Sequence, residues 1–207
     1  FLNFNGVYMT QAPALRNVYP YARLNSNTLS EIGSETIASA DASYIIRTPK
    51  FKSRITGFYS NVKNATETSF FFGDGIFADE GGDGGDAFVA ETVTNIEKRN
   101  MGVEAGVEYQ LTSTIKLSGS ASFGEYIYNN NPLVFLNNDN LASATNTAPV
   151  TNMGTAKLKG YRQSGTPQEA YSVGIEYRDP HFWWIGANAN YLASNYMDVS
   201  ALLRTDR

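Results

Sequence analysis

The chain has 207 residues, no Cys and a net charge of −4. That excludes a disulfide framework and thiolate metal sites, and no basic stripe of the kind nucleic acid needs is present. Mean hydropathy is −0.31, and no apolar run approaches the roughly 18 residues of a membrane-spanning helix. Yet 13% of residues are aromatic against 17% charged, a balance that suits a soluble protein or a membrane β-barrel with a polar interior.

The chain opens "FLNFNGVYMT", without Met, a basic n-region or an apolar h-region, and is expected to be an internal or processed piece. From residue 38 the side chains alternate. Ala38, Ala40, Ala42, Tyr44 and Ile46 oppose Ser39, Asp41, Ser43 and Arg47. After Thr48-Pro49 the pattern resumes, with Phe51, Ile55, Gly57 and Tyr59 against Lys52, Arg54 and Thr56. Residues 64 to about 90 read as a long polar loop. It contains "GGDGGDAFV", which fits one calcium-binding nonapeptide. A calcium roll needs tandem copies, so the expected role of 73–87 is an acidic, solvent-facing loop. Asp74, Asp79, Glu80, Asp83 and Asp86 are its candidate oxygen ligands.

Period two returns in "MGVEAGVEYQL", where Met101, Val103, Ala105, Val107, Tyr109 and Leu111 share a face. Ile115, Leu117, Gly119, Ala121, Phe123 and Ile127 continue it, with Glu125 the exception. Residues 129 to about 156 read as a second long loop. Then Tyr171, Val173, Ile175 and Tyr177, followed by Trp183, Ile185, Ala187, Ala189 and Tyr191, form a third alternating pair.

Turn parity tests these pairs, because facing residues of an antiparallel hairpin share a side. A two-residue loop at Thr48-Pro49 predicts Ile46–Phe51, Tyr44–Ser53 and Ala42–Ile55. Three-residue loops at Thr112–Thr114 and Asp179–His181 predict Tyr109–Leu117, Val103–Phe123, Tyr177–Trp183 and Ile175–Ile185. All three keep the apolar set on one face. Short turns near 49, 113 and 180 alternate with long loops, the asymmetry of outer-membrane barrels. Phe182, Trp183 and Trp184 beside a short turn resemble an interfacial aromatic girdle.

The stretches "SADASYIIRTPKFKSRITGFYSN", "FVAETVTNIEKRNMGVEAGVEYQLTSTIKLSGSASFGEYIYNNNP" and "LKGYRQSGTPQEAYSVGIEYRDPHFWWIGANANYLASNYMDVSALLRT" resemble the barrel region of TonB-dependent outer-membrane receptors of the carboxypeptidase-like regulatory-domain type. The resemblance runs from about residue 5 onward and rests on running similarity, with no short motif. It implies a barrel of about 22 antiparallel strands, an N-terminal plug and a TonB box coupling transport to the inner-membrane proton gradient. Six or seven strands are visible here, without plug or TonB box. Residues 1–207 are therefore expected to be the middle part of a larger receptor barrel, all-β and transmembrane, with short periplasmic turns and long extracellular loops.

The resemblance also implies partners and a compartment. These are outer-membrane lipid, the TonB complex through a plug, a scarce nutrient (metal chelate, glycan or peptide), a surface lipoprotein, and the outer membrane of a Gram-negative bacterium. The polar side carries Asp41, Arg47, Lys52, Arg54, Glu104, Glu108, Gln110, Glu176 and Arg178, expected to hold a plug or to line a substrate path. No catalytic, cofactor or metal site is assigned, and no enzyme activity is expected. The single His181 lies in a turn, and no G-x-S-x-G, P-loop or H-E-x-x-H pattern occurs. The alternative is a soluble or surface β-sandwich or β-roll that binds calcium or carbohydrate.

Overall fold

The computed structural model describes residues 1–19, 29, 32–73, 87–138 and 150–206. Residues 74–86, with Asp74, Asp79, Glu80, Asp83 and Asp86, lie outside the described residues, as does the stretch 139–149 of the second long loop, while Ala87, Phe88 and Val89 of the nonapeptide open a strand. Among the described residues, nine antiparallel strands form one sheet. They are β1 (Leu2–Gln11), β2 (Glu35–Arg47), β3 (Phe51–Gly73), β4 (Ala87–Gln110), β5 (Ile115–Tyr128), β6 (Leu133–Asn138), β7 (Val150–Thr155), β8 (Glu169–Arg178) and β9 (Trp184–Ala193). The main path runs β1-β2-β3-β4-β5-β8-β9, while β6 pairs with β4 and β7 with β6. The sheet is not closed: β1 and β9 are its two ends.

Parity holds along that path. One row across the sheet reads Leu2, Tyr44, Ile55, Ala105, Ala121, Tyr171 and Tyr191, each hydrogen-bonded neighbour opposing the next. The row two residues nearer the short turns adds Val107 and Val173, the next adds Tyr109, Leu117 and Ile175. This apolar face is open, with Val173 63% and Ile185 64% exposed. Glu125, the one acid among those apolar positions, sits between Arg99 (2.7 Å) and Arg162 (3.1 Å), where the apolar rows end.

Two predicted registers are corrected by two residues each. Ile46 faces Ser53, not Phe51, and Tyr44 faces Ile55. Tyr177 faces Ile185, not Trp183, and Ile175 faces Ala187. One rule explains both: Pro suits the first central position of a turn and is disfavoured at the second. The first turn is therefore Pro49-Lys50, closed by Thr48 N–H to Phe51 O (2.8 Å) and Phe51 N–H to Thr48 Oγ1 (2.9 Å). In the other, Pro180, His181 and Phe182 form the loop. Phe182 N–H reaches Asp179 O (3.1 Å), and Phe182 takes the left-handed position with φ +71°. A shift of two keeps every face assignment, so Trp183 still packs beside Tyr177, ring centres 5.3 Å apart. Tyr109–Leu117 and Val103–Phe123 are as expected. All three turns lie at one edge, since Phe51 pairs with Tyr109 and Ile115 with Tyr177.

The long loops are partly strand. β3 and β4 have 23 and 24 residues and pair from Phe51–Tyr109 to Gly73–Ala87, well past residue 64. A double irregularity interrupts them near Ala65, where Asn64 (φ +57°) and Asn95 (φ +55°) adopt the left-handed conformation that Asn tolerates. Beyond it β5 gives way to β6 along the same edge of β4. "NNNP" makes the jog: Pro132 has no N–H to offer, and Asn130 substitutes side-chain bonds to Glu97 N (2.9 Å) and Asn95 O (2.7 Å).

Hydrophobic burial is concentrated in this distal part. Ala65, Val93, Ile96, Val134, Ala156, Leu158 and Ala201 form the core cluster, with Ala201 supplied by the segment after β9. A short helix, α1 (Leu15–Val18), ties on through Arg16 and Asn17 to the carbonyls of Thr68 and Thr66. Ile96→Ala should destabilise the distal part by about 2–5 kcal/mol, the usual loss for emptying a fully buried aliphatic site. Hydrogen exchange should rise at 89–96 and 156–158, while the β8–β9 ladder stays protected.

Candidate functional site

The second face of the main path is polar and hollow. Asp41 of β2 and Asn190 of β9 line the same cavity of ≈ 1000 Å³. On a flat sheet they would lie five strand spacings apart, about 24 Å. The polar face is therefore concave, as a section of barrel wall must be.

Every polar residue that the alternation places on this face is there. Near the short turns, Arg47, Lys52 and Glu108 form one row, and Gln110, Lys116 and Glu176 the one still closer to the turns. Lys52–Glu108 (3.6 Å) and Lys116–Glu176 (3.5 Å) pair across strands, and Arg178 adds a bond to Glu176. Such exposed pairs contribute little stability each, so their value here is the charged surface they present. Arg54 is held by Ser43 Oγ (3.0 Å) and Thr56 Oγ1 (3.1 Å), which bond to each other. A second hollow of ≈ 670 Å³ covers this charged half.

Further from the turns the wall becomes aromatic. Phe58 and Tyr126 lie 6.3 Å apart with ring planes at 24°. Strand glycines often mark a close approach, and here they do. A Cβ on Gly102 would come within 2.9 Å of the Phe58 ring tip, and one on Gly124 within 2.4 Å of the Tyr126 ring. The Phe58 ring tip and the Tyr126 ring edge thus occupy the space a side chain at Gly102 or Gly124 would need. Phe58 escaped the sequence reading because it breaks the apolar parity of its strand. The signal was a large even-numbered apolar residue opposite two glycines.

Above the wall, Glu91 is 5% exposed and accepts bonds from Ala201 N (3.2 Å) and Ser200 Oγ (3.3 Å). It clasps the segment after β9 onto the distal hairpin. Burial raises its carboxyl above the ordinary 4.5, opposed by those bonds and reinforced by nearby Asp198. At the opposite edge, Asp179 receives His181 N (2.9 Å), lies 2.7 Å from His181 Nδ1 and accepts the Tyr177 hydroxyl (2.9 Å). Bonds from His181 hold Asp179 below its usual range. His181 is thus a turn residue with a structural partner. Among the described residues no three His, Asp or Glu side chains converge to hold a metal.

These geometries define the class: an all-β antiparallel section of barrel wall, apolar outside and polar within. Among solved structures the chain resembles the copper transporter OprC, with a TM-score of 0.57 and 17% identity. The match covers 92% of this chain and 24% of that one, so the chain spans about a quarter of the transporter's length. At this identity the likeness is one of fold. No family model matches the sequence, and no curated protein does.

The Glu91 clasp has a pH dependence of defined sign. A carboxyl raised by folding contributes its stability fully below its unfolded value and loses it as pH rises through the folded one. Limited proteolysis of residues 198–206 should therefore accelerate as pH rises from about 4.5. Glu91→Gln should slow cleavage at neutral pH and flatten the profile. A steep profile persisting in the variant would assign the effect elsewhere.

Proposed function

We propose that the chain is part of the barrel of a TonB-dependent outer-membrane receptor that takes up a scarce nutrient. The observation that carries this is the two-faced curved sheet: apolar side chains predominate in the outer rows of seven strands, and charged groups with Ser, Thr, Asn and Gly predominate in the inner ones. A soluble monomer seldom leaves so wide an apolar face open. A sandwich would place its core on that face, whereas the buried cluster here sits on the distal hairpin. The barrel-wall fold shared with a transporter and the running resemblance to this receptor family both support the reading.

In this arrangement the apolar rows meet outer-membrane lipid, and the three short turns face the periplasm. Tyr177, Trp183 and the fully exposed Phe182 occupy the interfacial depth. The distal part of β3 and β4 stands outside the cell, because about 9–11 residues suffice to cross. The charged half near the turns meets a plug, through which the TonB complex acts, and the distal part offers a surface to a partner lipoprotein. Copper is the cargo of the similar structure. Among the described residues, those lining the ≈ 1000 Å³ hollow present carboxylates, hydroxyls and an amide instead of the imidazole and thioether groups that suit that metal.

Outer-membrane assembly of the complete receptor tests the faces. Val107→Arg or Ile175→Arg should block it, at about 2–4 kcal/mol near the membrane midplane. Ser120→Arg, on the polar face, should assemble with far smaller loss. Equal assembly of all three would reverse the assignment.

A further inference from the structure

The charged cluster around Glu125 lies on the outward face, not on the polar wall. From Leu111 to Met101 every second residue faces outward, and all of these are apolar. Those ten or so residue steps make about 34 Å of strand. At the tilt of about 35–45° usual in outer-membrane barrels they rise about 24–28 Å, against an apolar band about 25 Å tall. The next outward residue is Arg99. It shares a row with Ile127 and Arg162, while Glu125 opposes Met101, one outward position nearer the short turns. Two guanidiniums therefore stand at the upper border of the apolar band.

Glu125 does not saturate them. It takes Arg99 Nη2 at 2.7 Å and Arg162 Nη1 at 3.1 Å, one nitrogen from each fork of five N–H donors. Among the described residues Arg99 Nε has no acceptor. The Arg99, Glu125 and Arg162 side chains are 32%, 32% and 36% exposed, open outward yet partly desolvated. The other acids on this face are engaged or offset. Glu169 accepts the Tyr171 hydroxyl (3.1 Å) and Ser194 Oγ (3.2 Å). Glu97, one outward position beyond Arg99, accepts Asn129 Nδ2 (3.4 Å), and Lys63 on the outward face of β3 balances its charge. A net positive pair of forks remains at headgroup depth. Such forks match phosphate oxygens bidentately. A phosphomonoester suits two of them better than a diester, with three free oxygens and a charge of about −1.5 to −2 near pH 7.

Resting on the reading of this sheet as receptor barrel wall, we propose that Arg99 and Arg162 dock a phosphomonoester carried by an outer-leaflet lipid. Glu125 is a positioning residue that holds the two forks side by side. The lipid's apolar part runs down the rows that begin at Tyr59 and Met101, which pair across β3 and β4 and are 47% and 37% exposed.

Native mass spectrometry of the purified full-length receptor in detergent tests this with four probes. They are lipid A carrying its phosphomonoesters, lipid A with them removed, phosphatidylglycerol (a diester) and inorganic phosphate. Intact lipid A should bind saturably, at least about 10-fold more tightly than each of the others. Arg99→Gln and Arg162→Gln should each weaken it about 3-fold or more, and the double variant about 10-fold or more. Lys157→Gln removes a positive charge beside Asp206 on the distal part and should bind as the parent does. Equal binding of phosphate-free lipid A or phosphatidylglycerol overturns the proposal, and so does equal binding of inorganic phosphate, which would assign a free anion. An equal loss in Lys157→Gln overturns it too, because the attraction would then be general. Outer-membrane assembly is followed for every variant; if the double variant does not assemble, the parent's preference among probes and the single variants decide. A parent that assembles and shows no such preference defeats the lipid site and leaves the uptake reading standing. A parent that does not assemble in the outer membrane defeats both.

Discussion

Successive side chains of a strand point to opposite faces, and an antiparallel ladder holds opposed residues on the same one. Everything functional in this chain depends on that parity surviving from β1 to β9. It survives because each short turn has the loop length that carries the apolar set across: two residues at Pro49-Lys50, three at Thr112–Thr114 and three at Pro180–Phe182. One residue more or fewer in any of them would send the next strand's Tyr, Ile and Val into the polar hollow and its Glu and Lys outward.

Faces were therefore more legible in the sequence than partners. Alternation places Glu104, Glu108, Gln110 and Glu176 on one side whatever the pairing, since a slip of two residues leaves parity unchanged. The partners needed the position of proline within each turn, which distinguishes Pro49-Lys50 from Thr48-Pro49 and sets Pro180 at the head of its loop. The strand β1 went unread because Gly6 interrupts its apolar side of Leu2, Phe4 and Tyr8, while Val7 and Met9 place apolar groups on its polar side. "NNNP" misled in the other direction. Its composition signals a loop, yet Asn130 and Asn131 replace the missing ladder bonds, the latter accepting from Leu158 N and Lys159 N at 3.1 and 2.9 Å. The clasp between Glu91 and Ala201 joins residues 110 apart, and nothing local in either segment announces it.

Stability is divided unevenly between the two parts. The distal hairpin builds a buried core with β6, the 156–158 segment and Ala201. The curved wall has no such core of its own, and its apolar rows stay open to the surroundings. At about 25 cal/mol per Å² of apolar surface removed from water, covering rows that include Val173, Ile175 and Ile185 is the largest stabilisation left to the sheet. An apolar medium on one side and water on the other supplies it without a second sheet. The same division leaves the polar side open: glycines that weaken a strand in isolation make room for the Phe58 ring tip and the Tyr126 ring edge against the wall.

In the proposed barrel wall, the odd-numbered face of β8 meets lipid while the even-numbered face meets water. The chain has no Cys, so single cysteines at 171 to 177 in the full receptor can each carry a spin label. Collision with dissolved oxygen, which concentrates in lipid, is then compared with collision by a water-soluble nickel complex in reconstituted bilayers. Collision should show a strict period of two, with oxygen dominant at 171, 173, 175 and 177 and nickel dominant at 172, 174 and 176. Equal nickel access on both faces would contradict it and return the chain to water.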